Sequence, residues 1–212
     1  MKINKTIVFL VIAIFSVLTV WSQTKATTAD GKKVLLFDDK TWKYESEGVS
    51  VAKPIPTSEK KYFKSPVAST QLKSKKNGFS LFIDSKKWDV NKTKFSKDAE
   101  FNFQLKDKML FAMMINEKID IGIESLKEVA IANAKNAATS VTVVNEEYRF
   151  VNGVKVLMLQ MRCEIQNMDF TYLSYYYSAS DGCVQLISYT YTNTFNEFKS
   201  TAEELLNGLV VN

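Results

Sequence analysis

"VTVVNEEYRFVNGVKVLMLQMRCEIQNMDFTYLSYYYSASDGCVQLISYT", residues 141–190, carries the strongest structural signal in the chain. Runs rich in Val, Leu and Tyr are separated by short groups of Asn, Gly, Ser and Asp, the punctuation expected between consecutive strands. Asn152-Gly153 is a favoured two-residue hairpin turn, and it joins Val141–Phe150 to Val154–Ile165. A turn at Asn167–Met168 leads into Phe170–Tyr177, and another around Ala179–Gly182 leads into Cys183–Thr192. The expectation is an antiparallel meander.

Working outward, Ile123–Ala138 has helical spacing, with Ile123, Leu126, Ala130, Ala134 and Ala137 on one stripe and Ser125-x-x-Glu128 as a capping box. Further upstream, Phe79, Leu81 and Ile83 recur at period two, as do Phe101, Phe103 and Leu105, and Met109–Ile115 is nearly continuous in apolar residues. Strands apolar on both faces are covered on both sides. Downstream, Thr194-x-x-Glu197 is a second capping box, and Phe195, Phe198, Ala202, Leu205 and Leu209 form the stripe of a closing helix. Residues 77–212 therefore read as one α+β domain built on a central antiparallel sheet.

The segment before it is of different character. Val34–Phe37 and Thr41–Tyr44 flank Asp38-Asp39-Lys40 and predict a β-hairpin within residues 27–45. An isolated hairpin is marginal in water, so this one must dock on the main domain or on a partner. Residues 46–76 lose periodicity and collect Pro54, Pro56, Pro66, serines and lysines, which is linker composition. At the start, Lys2 and Lys5 precede an apolar run of 15 residues, Ile7 to Trp21, followed by small and polar residues. That layout is a secretory signal peptide, residues 1–22, and the run is short of the roughly 20 residues a membrane-spanning helix needs. The mature chain would start at Gln23 and be exported, periplasmic or secreted.

Losing residues 1–22 lowers the formal charge from +5 to +3, too little to argue for anything alone. Its distribution says more: from Lys60 to Lys97 there are 11 lysines against two acids, Asp84 and Asp89. Such a segment suits an anionic surface, and lysines equally discourage edge-to-edge pairing of strands. An exported protein with this charge is not expected to meet nucleic acid, whereas peripheral contact with a membrane is compatible with it. The two cysteines, Cys163 and Cys183, fall on different strands of the meander and far apart along them, so two free, buried thiols are expected rather than a disulfide.

Chemistry is excluded more readily than assigned. The chain has no histidine, which removes Ser-His-Asp and Cys-His arrangements. Two cysteines cannot supply a structural zinc site, and no glycine-rich phosphate loop is present. Asp38-Asp39 reads as a pair of turn formers. Arg162 and Glu164 share a strand face and are expected to pair as ions. No cofactor, no metal and no enzymatic activity are expected.

The stretches "GFSLFIDSKKW", "FVNGVKVLMLQMRCEI", "YLSYYYSASDGCVQLISYTYT" and "FNEFKSTAEELLNGLVV", with an amphipathic helix after the first, occur in an order that resembles the PsbP/Mog1-like family. The resemblance covers Asn77 to Val211 and implies an α-β-α sandwich around a central antiparallel sheet. It also implies a non-catalytic binding module, since members are similar to adaptors of photosystem II or of a small GTPase. The metal ions linked to some members are held partly by histidines and carry over to no position here. The hairpin "DGKKVLLFDDKTWKY" resembles an element of exported proteins from Bacteroidetes-type bacteria.

Two functional expectations follow. One is an exported adaptor that contacts a protein or an anionic envelope component through the hairpin, with Trp42 and Tyr44, and through Lys86, Lys87, Trp88 and Lys92. The other is a ligand- or carbohydrate-binding protein with an aromatic pocket between sheet and helix. Alternation puts Tyr172 and Tyr176 on one face and Tyr175 and Tyr177 on the other, so Tyr172 and Tyr176 would share such a pocket. Trp88 has two readings: a buried ring covered by lysine stems, or a stacking surface.

Overall fold

The computed structural model describes residues 24–28, 33–37, 40–44, 54–92, 94 and 96–211. The signal segment 1–22 and the Asp38-Asp39 pair lie outside the described residues. Met1–Glu45 and Ser46–Asn212 form two units. In the first, β1 (Thr24–Thr27), β2 (Lys33–Leu36) and β3 (Trp42–Tyr44) make a three-stranded antiparallel sheet in the order β1-β2-β3. The expected hairpin is β2-β3, and β1 extends it by pairing Thr24 to Thr27 against Leu36 to Lys33. A third strand supplies the ladder that two strands lack.

The second unit contains β4 (Thr57–Tyr62), β5 (Thr70–Lys73), β6 (Phe79–Ile83), β7 (Trp88–Val90), β8 (Phe101–Leu105), β9 (Phe111–Glu117), α1 (Ile123–Ala137), β10 (Ser140–Val151), β11 (Val154–Ile165), β12 (Met168–Ala179), β13 (Gly182–Tyr191), α2 (Phe195–Leu206) and β14 (Leu209–Val211). Its main sheet has eight strands in the order β4-β10-β11-β12-β13-β9-β8-β7, and β14-β6-β5 forms a second, three-stranded sheet. All main-sheet pairings are antiparallel except β4 with β10.

The turns explain the register. Asn152 (φ 48) and Gly153 (φ 90) both take positive φ, as the tight hairpin between β10 and β11 requires. The next turn uses Gln166 and Asn167 (φ 51 and 62), one residue earlier than expected, so Cys163 faces Phe170 rather than Tyr172. Cys183 faces Ser178. The rows of the two cysteines are thus eight residues apart on β12, from Phe170 to Ser178, roughly 26 Å at a strand's rise per residue. Both thiols are free and buried.

Further expectations change. Residues 46–76, read as a linker, supply β4 and β5, so the ordered domain starts well before Asn77. Neither capping box forms. Ser125 lies inside α1, which starts at Ile123 after Gly122, and the Thr194 hydroxyl donates to the Tyr191 carbonyl (3.0 Å) within a 3₁₀ turn preceding α2.

Apolar side chains line both faces of the main sheet. On one, Phe79, Leu81 and Ile83 of β6 and Phe195, Phe198, Ala202, Leu205 and Leu206 of α2 pack on Met158, Leu173, Tyr175, Val184 and Leu186. The approach is close at Gly208, where a Cβ would stand 2.1 Å from the Phe82 carbonyl oxygen, which only glycine avoids. On the other face, Leu126 and Ala130 of α1 pack on Tyr148, Leu157, Leu159, Met161, Cys163 and Tyr176. The domain is therefore an α+β sandwich around a central, mainly antiparallel sheet.

Candidate functional site

The α1 face holds a cavity of about 460 Å³. Its origin is the helix stripe: Ala130, Ala134 and Ala137, spaced four and three apart, bring small side chains toward the sheet and leave space above it. The floor is laid by alternate residues of four strands, chiefly Met113 and Ile115 of β9, Ile187 of β13, Tyr172 and Tyr176 of β12, and Met161 of β11. One row of this sheet face runs Leu157, Tyr176, Gln185, Ile115 across the four strands, and its last three residues line the cavity. At the mouth, Ile119 and Val129 are 45% and 43% exposed, an unusual placement for two aliphatic side chains that also line the hollow.

Tyr172 is half-buried and stacks on Tyr189 (5.3 Å between centroids, 23° between planes), which in turn stacks on Phe111 (5.4 Å, 28°). These rings follow the cross-strand pairs Tyr172–Tyr189 and Tyr189–Phe111. Burial raises the Tyr172 phenol above its ordinary range and pushes Tyr176 up to about 12. It also raises the Cys163 thiol. These three groups therefore stay protonated at neutral pH. The polar lining residues are Gln185, Glu117, Asn133 and Asp98. Among the described residues no cluster of three or more carboxylate or thiol groups is close enough to hold a metal ion.

The structure brings Tyr172 and Tyr176 together at this cavity and separates the other expected site residues from it. Trp88 opens β7 opposite Leu105 and is 4% exposed within the core on the α2 side, so its ring packs and offers no stacking surface. Lys87 pairs with Glu204 (2.9 Å), which raises its pKa against the opposing cost of burial, and Lys92 pairs with Asp89 (2.9 Å). Lys86 is exposed beside them. The lysines of the 60–97 segment are spread over β4 at one edge of the main sheet, β5 of the second sheet, the connections between β4 and β7, and the loop after β7 at the opposite edge. Trp42 and Tyr44 lie on the first unit's sheet, each 51% exposed, with rings edge to face at 5.2 Å.

Arg162 pairs with Asp169, its diagonal neighbour across the hairpin (2.6 Å), and not with Glu164. The buried guanidinium is Arg149, bonded to Glu147 (2.6 Å), Glu203 (3.1 Å) and the Tyr175 hydroxyl (3.0 Å) and lying over the Tyr62 ring. Its Nε and Nη1 donors are engaged inside the protein, which marks a structural network. Sequence reasoning missed Gln185, Glu117 and the aliphatic floor. The alanine-rich stripe of α1, set beside the Phe- and Leu-rich stripe of α2, was the available signal.

No protein-family model and no curated protein sequence matches the chain. Among solved structures, cyanobacterial PsbP (CyanoP) from Synechocystis sp. PCC 6803 aligns over 69% of this chain and 94% of its own, at 15% identity and a TM-score of 0.51. LpqN of Mycobacterium tuberculosis, described as involved in cell envelope biogenesis, aligns over 68% and 90% at 13% identity and a TM-score of 0.48. PA94 from Pseudomonas aeruginosa aligns over 68% and 96% at 10% identity and a TM-score of 0.44. At such identities the likeness concerns fold, and it is the cyanobacterial structure that makes this chain's α+β domain PsbP-like.

Proposed function

We propose that this protein is an exported, non-catalytic binding protein whose ligand site is the cavity between α1 and the main sheet. The observation that carries the reading is an apolar hollow of about 460 Å³, within the ordinary range of small-ligand sites, with a few polar groups along its wall. The lining contains no histidine, and its tyrosines and thiol are held protonated, so it offers apolar contact and hydrogen bonds rather than a nucleophile with a base. Export rests on the signal-like residues 1–22, and a Bacteroidetes-type source on the hairpin's resemblance. Titrating the mature chain, Gln23 to Asn212, with the neutral apolar fluorophore Nile red tests the reading. Saturable binding that is lost in Ala134→Phe, at an unchanged urea midpoint, supports it. Unsaturable binding, or binding indifferent to Ala134→Phe, overturns it.

A second reading is an adaptor that contacts a protein or an anionic envelope component. The exposed Trp42–Tyr44 pair favours it, since adjacent aromatic rings on a small sheet are typical interface anchors. Binding to isolated envelope fractions across a salt series separates the surfaces. Steep weakening with salt implicates the lysines, and loss on replacing Trp42 and Tyr44 by Ala implicates the rings. Binding unaffected by both removes the adaptor reading.

A further inference from the structure

We propose that the cavity takes an amphiphile with an alkyl body and an amine head group, and discriminates against carboxylate and phosphate amphiphiles. The inference rests on the cavity being the ligand site and adds the chemistry of what enters it. Gln185 is the first observation. It is only 7% exposed, it lines the cavity, and its side-chain amide makes no hydrogen bond among the described residues. Its two polar atoms are not sealed off from the hollow, so a ligand seated there can complete their hydrogen bonds. Its carbonyl accepts and its NH₂ donates, so by itself it does not choose the sign of the head group.

Glu117 makes that choice. Gln185 faces Ile115 on β9, and Glu117 lies two residues beyond Ile115 on the same face, a diagonal neighbour of Gln185 across adjacent strands. Glu117 is half-buried, lines the cavity, and its carboxylate has no ion pair or hydrogen bond among the described residues. Asp98 is a second acidic group in the lining, and among the described residues no lysine or arginine joins them. The cations of α1 are turned elsewhere: Lys127 pairs with Glu146 (3.0 Å), and Lys135 is not part of the lining. A carboxylate or phosphate seated there would meet Glu117 with no compensating cation, whereas an ammonium would pair with Glu117 and donate to the Gln185 carbonyl oxygen.

The body of the ligand follows from the floor. From Tyr176 to Tyr172 the β12 face runs four residues along, roughly 13 Å, beside Ile115, Ile187, Met113 and Met161. This suits an extended alkyl chain of medium length, and the half-exposed Ile119 and Val129 give it an apolar entrance.

Calorimetric titration of the mature protein with decylamine, decanol and decanoate, each below its micelle concentration, tests the inference. Decylamine is expected to bind at least tenfold more tightly than decanoate and more tightly than decanol. Glu117→Gln is expected to abolish the preference for the amine over decanol. Equal or tighter binding of decanoate, or an amine preference that survives Glu117→Gln, overturns the head-group assignment. If decanol binds and the amine binds no better, the cavity remains the ligand site and only this inference falls. If none of the three binds, both fall. A urea midpoint equal to that of the parent protein confirms that Glu117→Gln is folded.

Discussion

One sheet carries two helices, and the helices treat it differently. α2 presents Phe195, Phe198, Leu205 and Leu206, and its face of the sheet is filled. α1 presents Leu126, then Ala130, Ala134 and Ala137, and its face keeps a hollow. Both elements satisfy the same period and both are amphipathic. What separates a packed layer from a binding site here is side-chain volume at three or four positions. A helix stripe thus specifies where an element sits, and the sizes along the stripe specify whether anything else fits beneath it.

The largest expected contrast is between truncations. Phe198→Ala removes a buried ring from the filled face and is expected to cost about 3–5 kcal/mol by urea denaturation, whereas Val129→Ala at the cavity mouth stays within about 0.5 kcal/mol. Equal losses would mean that the α1 face is as tightly packed as the other. Enlargement reverses the sense. Ala202→Leu, at a position 1% exposed under α2, is expected to lose about 1–3 kcal/mol from overpacking. Ala134→Leu, which grows into the hollow, is expected to lose nothing and to weaken apolar ligands.

Alkaline titration probes both faces together. Burial is the main force raising Tyr175 and Tyr176 to about 12 from the usual 10.0, with Arg149 opposing the rise at Tyr175. The folded state holds these protons more tightly than the unfolded chain does. Their contribution to stability is therefore complete below about pH 10 and is lost as pH climbs through 12. Tyrosinate absorbance should lag behind that of the unfolded chain, and Tyr176→Phe should flatten the alkaline decline in stability. The smallest effect concerns the thiols. Cys163 lines the cavity while Cys183 does not, so a small alkylating reagent applied to the native protein should modify Cys163 first, as read by mass spectrometry. Both should react slowly, because burial raises both thiols.

Much of this contrast was written in residue order. The Asn152-Gly153 turn, the two helices and the division of Tyr172 and Tyr176 from Tyr175 and Tyr177 all follow from local chemistry and period two. β4 and β5 did not, because "TSEKKY" and "TQLK" are largely polar edge strands whose lysines mask any apolar alternation. β14 was hidden for another reason: Leu209 continues the α2 stripe in projection while belonging to a strand of three residues. The cavity required knowing which strand faces α1, and that depends on pairings between residues as distant as Ile115 and Gln185. Hence Gln185 read as an ordinary polar residue until its neighbours were known.

Asn152 joins more of the molecule than its place in a two-residue turn suggests. Its side-chain oxygen accepts from the Lys64 N–H (2.9 Å), and its amide nitrogen donates to the carbonyls of Asn207 (2.8 Å) and Leu209 (2.7 Å). The turn itself forms from adjacent residues, yet these partners lie 88, 55 and 57 positions away. Local hairpins precede long-range closures in folding, so the two ends of the domain arrive on a turn already made. The asparagine therefore belongs to the chronology of assembly as well as to its geometry. Asn152→Gly keeps the positive φ and removes the three bonds, and stopped-flow measurements should find faster unfolding with an unchanged refolding rate. The segment that follows β4 and the approach to β14 would then both lose their tie to the β10–β11 turn through a single side chain.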